Sequence, residues 1–157
     1  MEIKLICIGK TDDLELRKII SNYENRLKHY IKFSFLYIPD IKDAKNLSQD
    51  QQKSKEALLI EKQLKPSDIV VLLDEKGKQF SSVNFSEFLN KKMSSGCKRL
   101  VFVIGGPYGF DKIVLNKYTA KISLSKMTFS HQMIRLFFIE QLYRANTILR
   151  NEPYHHH

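Results

Sequence analysis

Residues 101–129 read VFVIGGPYGF–DKIVLNKYTA–KISLSKMTF, and they carry the fold in miniature. An apolar run over 101–104 breaks into Gly105-Gly106-Pro107-Tyr108-Gly109. A short helical stretch over 111–117 follows, then a second apolar run near 120–124 that breaks into Ser125-Lys126-Met127-Thr128-Phe129. Two strand exits thus lie close together, one of them glycine-rich. In open α/β sheets such exits, at the carboxyl ends of strands, are where small ligands bind.

Upstream the same alternation repeats. Residues 2–8 read as a buried strand, and residues 13–29 place Leu14, Ile19, Ile20, Tyr23 and Leu27 at helical spacing. A strand over 33–38 is closed by Pro39, and a helix over 48–64 follows with Ser48 as N-cap and Ala57, Leu58, Ile60 and Leu64 as its apolar stripe. Residues 69–73 (IVVLL) are apolar without alternation, which implies burial on both faces as in a parallel sheet. A turn is expected over 74–78, a helix over 84–93 ending at Ser95-Gly96, and a long last helix over 130–150 with Ser130 as N-cap. The alternation predicts an α/β domain over residues 1–157, with a mostly parallel five-stranded sheet flanked by helices. Chain-tracing rules alone favour an unknotted, doubly wound sheet.

Composition narrows the classes. No apolar run approaches the ~20 residues that span a bilayer. Cys7 and Cys97 suggest neither a disulfide framework nor a metal site, so no metal is expected and the cytoplasm is the expected compartment. The formal net charge is +9, with 19 basic against 14 acidic side chains in residues 1–100 and 7 against 3 in residues 101–157. The excess is proportionally greater in the segment with the glycine loop, and it suits either a nucleic-acid partner or a lysine-decorated solvated surface.

The glycines form neither a Walker loop, since no Gly-Lys-Ser/Thr follows, nor the dinucleotide fingerprint, which follows a first strand. They are either a tight strand-to-helix turn or a place where a ligand approaches bare backbone. Beside them, Met127 and Phe129 could flank a flat heteroaromatic ring, with Leu73 as a third wall. His131 is either a structural neighbour of a helix end or a proton carrier. On the last helix Glu140 and Arg144 are four residues apart, as either an exposed ion pair or a carboxylate-fixed arginine that clamps phosphate. No Ser-His-Asp group, cysteine nucleophile, carboxylate dyad or metal-ligand spacing is present, which disfavours hydrolysis by those routes.

Taken together, Leu73-Asp74 before a Gly-Lys turn, VFVIGGPYG over 101–109, SLSKMTFSHQMIR over 123–135, IEQLYRA over 139–145 and the terminal Pro153-Tyr154-His155 resemble a known family. It is that of the bacterial large-subunit rRNA pseudouridine N3-methyltransferases, small members of the SPOUT superfamily, and the resemblance spans the chain. It implies a C-terminal trefoil knot, an exception to the unknotted tracing. It implies S-adenosylmethionine as methyl donor, held at Leu73, Gly105, Gly106, Leu124, Ser125, Lys126, Met127, Thr128 and Phe129. It implies a homodimer with sites at the subunit interface, acting on a stem-loop of 23S rRNA in the 70S ribosome. The catalytic candidates are then His155, Tyr154, Arg144, Glu140 and Arg135. His155 is the favoured base for the imide N3 proton, because an imidazole titrates near neutrality. Arg135 and Arg144 would hold phosphate or the developing anion. The family's Pro-Tyr-His ending marks His155 as native, and His156 and His157 are set aside as tag or native ending. Other readings are a SPOUT enzyme for another rRNA or tRNA site, and a non-catalytic ribosome-binding module that keeps the fold.

Overall fold

The computed structural model describes residues 1–156, so His157 lies outside the described residues. Five strands, β1 (Glu2–Ile8), β2 (Lys32–Ile38), β3 (Ile69–Gln79), β4 (Arg99–Ile104) and β5 (Lys121–Ser123), form one sheet in the order β2-β1-β4-β3-β5. Every pairing is parallel. The helices between them are α1 (Leu14–Leu27), α2 (Gln49–Glu61), α3 (Ser82–Ser94), α4 (Lys112–Lys117) and α5 (Met133–Leu149).

Successive side chains along a strand point to opposite faces, and both faces are covered. One face sets Leu5, Val71, Phe102 and Ile104 against α1, α3 and α5, with the Phe102 and Phe138 rings 4.7 Å apart. The other sets Ile6, Leu72, Val101 and Val103 against Ala57 and Ile60 of α2 and Val114 of α4. This explains the unalternating strands: each residue has a hydrophobic layer on its side. Each fully buried Leu, Ile or Phe contributes roughly 1.5–3 kcal/mol, and β1 and β4 are buried along nearly their whole length.

The helix starts follow their capping residues. Asp13, Ser48, Ser81 and Asp111 each accept a hydrogen bond from a first-turn amide, and Ser48 with Gln51 completes a capping box. Expectation and structure differ at α5. It begins at Met133, while Ser130 accepts from the Met133 amide at 3.1 Å and so caps the turn that leads into the helix. Two apolar stripes also need correction. Leu14 and Ile19 of α1 are exposed, Leu16 being buried instead, and on α2 Leu58 is 65% exposed while its neighbour Glu56 is 3% exposed. A carboxylate, not a leucine, faces the interior there.

The turn expected over 74–78 does not end the strand. β3 pairs with β5 through Leu73↔Ile122, leaves the ladder, and rejoins it at Lys78↔Ile122, so residues 74–77 form a bulge. The turn chemistry is real, since the Lys76 amide donates to Asp74 Oδ1 at 2.9 Å, but it folds an excursion inside the strand. Gly77 makes the return possible. A Cβ at that position would lie 2.6 Å from the backbone N and C of Ile122. Gly77→Ala is therefore expected to destabilise the fold by about 1–3 kcal/mol, the cost of overpacking a close contact. Chemical denaturation checks this, and an unchanged midpoint and slope would contradict it.

Candidate functional site

The carboxyl ends of β3, β4 and β5 open on a cavity of about 680 Å³. That falls in the range of small-molecule sites, roughly 300–1,000 Å³. Its walls come from the three strand exits and the approach to α5. Leu73, Gly105, Gly106, Leu124, Ser125, Met127, Thr128 and Phe129 all line it, and Lys126 does not. Eight of the nine expected binding positions thus converge on one space, although they come from segments 50 residues apart.

Local hydrogen bonds shape the walls. The Gly109 amide donates to the Gly106 carbonyl at 3.0 Å, and the two residues form a small antiparallel bridge that folds the glycine loop on itself. In the facing loop, the Ser123 hydroxyl donates to the Ser125 carbonyl at 2.7 Å, and Ser125 Oγ accepts from the Met127 amide at 2.9 Å. Thr128 donates to Glu75 Oε2 at 3.2 Å and ties that loop to the β3 bulge. Phe129 leans on Phe137 with ring centroids 4.8 Å apart, whereas Met127 is 75% exposed at the mouth.

The bulge, expected from the sequence only as a turn, adds wall residues Asp74, Glu75 and Lys76. With Lys121 they give two carboxylates and two lysines, so the wall carries charges of both signs. No arginine lines the cavity among the described residues. Apolar area comes from Ile104, Leu115, Ile122 and Ile134. The arrangement offers bare peptide groups to a planar ligand's edge and hydrocarbon to its faces.

His131 also lines the cavity. Burial, reinforced by the nearby Arg135 charge, pushes its pKa below the ordinary value, against opposing pulls from Asp40 and Asp12. Arg135 is fully buried. Its Nη2 donates to the Ile8 carbonyl at 2.6 Å, Nη1 to Thr11 Oγ1 at 3.0 Å, and Nε to the His131 carbonyl at 3.0 Å. A guanidinium so committed pins the corner before α5 to the end of β1. It does not face solvent to hold phosphate, so that part of the expectation is corrected. Gln132 reinforces the corner, bonding to the Lys10 carbonyl and to both the amide and carboxylate of Asp12.

The other catalytic candidates gather farther along α5. Glu140 Oε1 accepts from Arg144 Nη2 at 2.6 Å and Nε at 3.1 Å, and from the Tyr154 hydroxyl at 3.0 Å. The Arg144 guanidinium sits 4.6 Å from the Tyr154 ring centroid, and its Nη1 lies 3.4 Å from the Tyr154 carbonyl and 3.5 Å from His155 Nδ1. Tyr23 of α1 meets the Tyr154 hydroxyl at 3.3 Å, and Tyr143 packs edge-on against the Tyr154 ring. Tyr30 donates a short hydrogen bond to Glu152. The tail is thereby fastened to α1 and α5. Neither Glu140, Arg144, Tyr154 nor His155 lines the cavity. Arg144 lies ten residues beyond Ile134, about 15 Å along the helix.

Fold and cleft together define an α/β domain with a cavity of small-ligand size at the carboxyl ends of its strands. Residues 1–155 match the family model described as predicted SPOUT methyltransferase. The chain is 65% identical over 156 residues to the ribosomal RNA large subunit methyltransferase H of Christiangramia forsetii, and 64% identical to that of Parabacteroides distasonis, with 99% of both chains covered in each case. A probable methylase family protein from Haemophilus influenzae Rd KW20 shares the fold at a TM-score of 0.51, with 13% identity over 99% of this chain and 70% of that one. The chain belongs to the SPOUT methyltransferase family.

His131 carries a pH dependence. Its lowered folded-state pKa means that the unfolded chain takes up the proton first as pH falls. The stability it contributes is complete above its unfolded value of about 6.5 and is lost as pH drops through the folded one. His131→Asn should therefore flatten the loss of stability between pH 7.5 and pH 5.5. Parallel slopes for variant and wild type in denaturant titrations would contradict this.

Proposed function

We propose that the chain transfers a methyl group from S-adenosylmethionine to N3 of a pseudouridine in the 23S rRNA of the assembled ribosome, as a cytoplasmic homodimer. The observation that carries this reading is the cavity: its volume, its bare-backbone edge at Gly105 and Gly106, and its apolar faces at Leu73, Ile122 and Phe129. The relatives' names point to large-subunit rRNA as the substrate. The net charge of +9 suits a polyanionic partner, and binding should weaken steeply with salt.

When bound, S-adenosylmethionine supplies an already activated methyl group. The residues of this chain then have to orient, exclude water and move one proton. Leu73, Gly105 and the 124–129 loop hold the donor, with the loop threaded in the trefoil manner of the family. Pseudouridine N3 must lose its proton before it attacks. Glu140 is already engaged, accepting from Arg144 and Tyr154. His155, beside Arg144 at the end of the tail, takes the proton. Arg144 stabilises the imide anion. Because this group stands away from the cavity of its own chain, the partner's tail completes each site.

The test is methyl transfer to 70S ribosomes from a strain lacking the modification, read by nucleoside mass spectrometry. Label appearing as 3-methylpseudouridine in 23S rRNA is the expected result. Label in tRNA or at another rRNA base, or none despite S-adenosylmethionine binding, would overturn the substrate assignment. His155→Ala should slow single-turnover transfer about 10²-fold, the usual contribution of a general base. An unchanged single-turnover rate would take the role from His155.

A further inference from the structure

Glu56 is a buried carboxylate that the proposed chemistry does not use. It lies on α2, 3% exposed, where ionised side chains are normally paired with a cation. None of the ion pairs among the described residues includes it. Its partners are neutral. Gln52 Nε2 donates to Glu56 Oε1 at 3.0 Å, and the backbone amide of Gly106 stabilises the ionised form.

The contact with Gly106 is closer than any side chain there would permit. A Cβ built on Gly106 would fall 2.5 Å from Glu56 Oε2 and 2.6 Å from Oε1. The carboxylate fills the space in which any other residue would carry its first side-chain atom. Gly106 itself is part of the cavity wall, and Glu56 is not. The carboxylate therefore supports the wall from behind, at the residue whose carbonyl receives the Gly109 amide and closes the loop.

A carboxylate suits this place because a strand exit must present its peptide groups in one orientation. Gly106 is engaged from two sides: the Glu56 carboxylate packs closely against it, and its carbonyl accepts from the Gly109 amide. Gln52, one helical turn before Glu56, holds the carboxylate in turn. Burial raises the Glu56 pKa, as does the charge of Asp40, while Gln52 and the Gly106 amide lower it.

We propose that Glu56 is a positioning residue for the methyl-donor site, fixing the 105–109 loop by accepting from the Gly106 amide so that its backbone meets the ligand. For the identity of the ligand this rests on the function proposed above. Two variants separate an acceptor from a filler. Glu56→Gln keeps an acceptor oxygen, and Glu56→Met keeps length with flexible apolar bulk. Each is measured by thermal unfolding, by calorimetric titration with S-adenosylhomocysteine, and by the Gly106 amide resonance in ¹⁵N-labelled protein.

Glu56→Met should raise the dissociation constant about tenfold, the effect of losing one hydrogen bond. It should also move the Gly106 amide proton upfield. Glu56→Gln should bind within about threefold of wild type and keep that proton near its wild-type position. A folded Glu56→Met that binds as wild type overturns the proposal, and so does a Glu56→Gln as weak as Glu56→Met. If Glu56→Met fails to fold, Glu56→Gln decides by the same two readouts. If wild type itself does not bind S-adenosylhomocysteine, the assigned function fails. The Gly106 resonance then still tests whether Glu56 holds the loop.

Discussion

The approach of β5 to β3 is the contact on which the rest of the site depends. β5 is three residues long and pairs with β3 alone, yet it delivers the chain to the loop that forms one wall of the cavity. β3 accommodates it by leaving the ladder at Leu73, turning through 74–77, and returning with Gly77 pressed against the Ile122 backbone. That single excursion sets the floor of the cavity at Leu73 and places Asp74 and Glu75 on its side. Through Thr128 it also anchors the opposite loop. A side chain at residue 77 would displace all three.

The charged residues of α5 divide the labour along its length. At its start Arg135 is buried among the Ile8 and His131 carbonyls and the Thr11 hydroxyl, where its charge is spent on holding a corner. Buried polar groups of this kind define geometry more than they add stability, since desolvation offsets much of their attraction. Two to three turns on, Arg144 is partly exposed and shares Glu140 with Tyr154. There the guanidinium stacks on the tail and keeps one edge beside His155. The same residue type is fully buried at one position and partly exposed at the other, where the proposed mechanism uses it.

Much of this was legible in the chain itself. The strands were readable because both sheet faces are covered, which turns 69–73 and 100–104 into unbroken apolar runs. The cavity loops were readable because glycines and small polar residues follow those runs directly. What escaped was context. Asp74 and Lys76 have turn chemistry, and nothing local says that the strand resumes after it. On α2 an apolar count selects Leu58, yet the interior takes Glu56, whose carboxylate packs against Gly106 and accepts from Gln52. Arg135 was a candidate to hold phosphate or the developing anion, and the acceptors that bury it come from residues 8, 11 and 131. The distance between the cavity and the tail depends on how far α5 runs before the chain turns back, a tertiary fact.

That separation is the centre of the proposed mechanism: one chain supplies the donor cavity, and the other supplies Tyr154 and His155. Mixed dimers test it most directly. One subunit would carry Gly105→Val to block its cavity, and the other His155→Ala to remove its base. Each homodimer should fall about 10²-fold or more below wild type on ribosomes. The account predicts that the mixed dimer recovers one working site, about half of wild-type transfer at a statistical limit. Mixed dimers as inactive as both parents would contradict it, because cavity and tail would then have to act within a single chain.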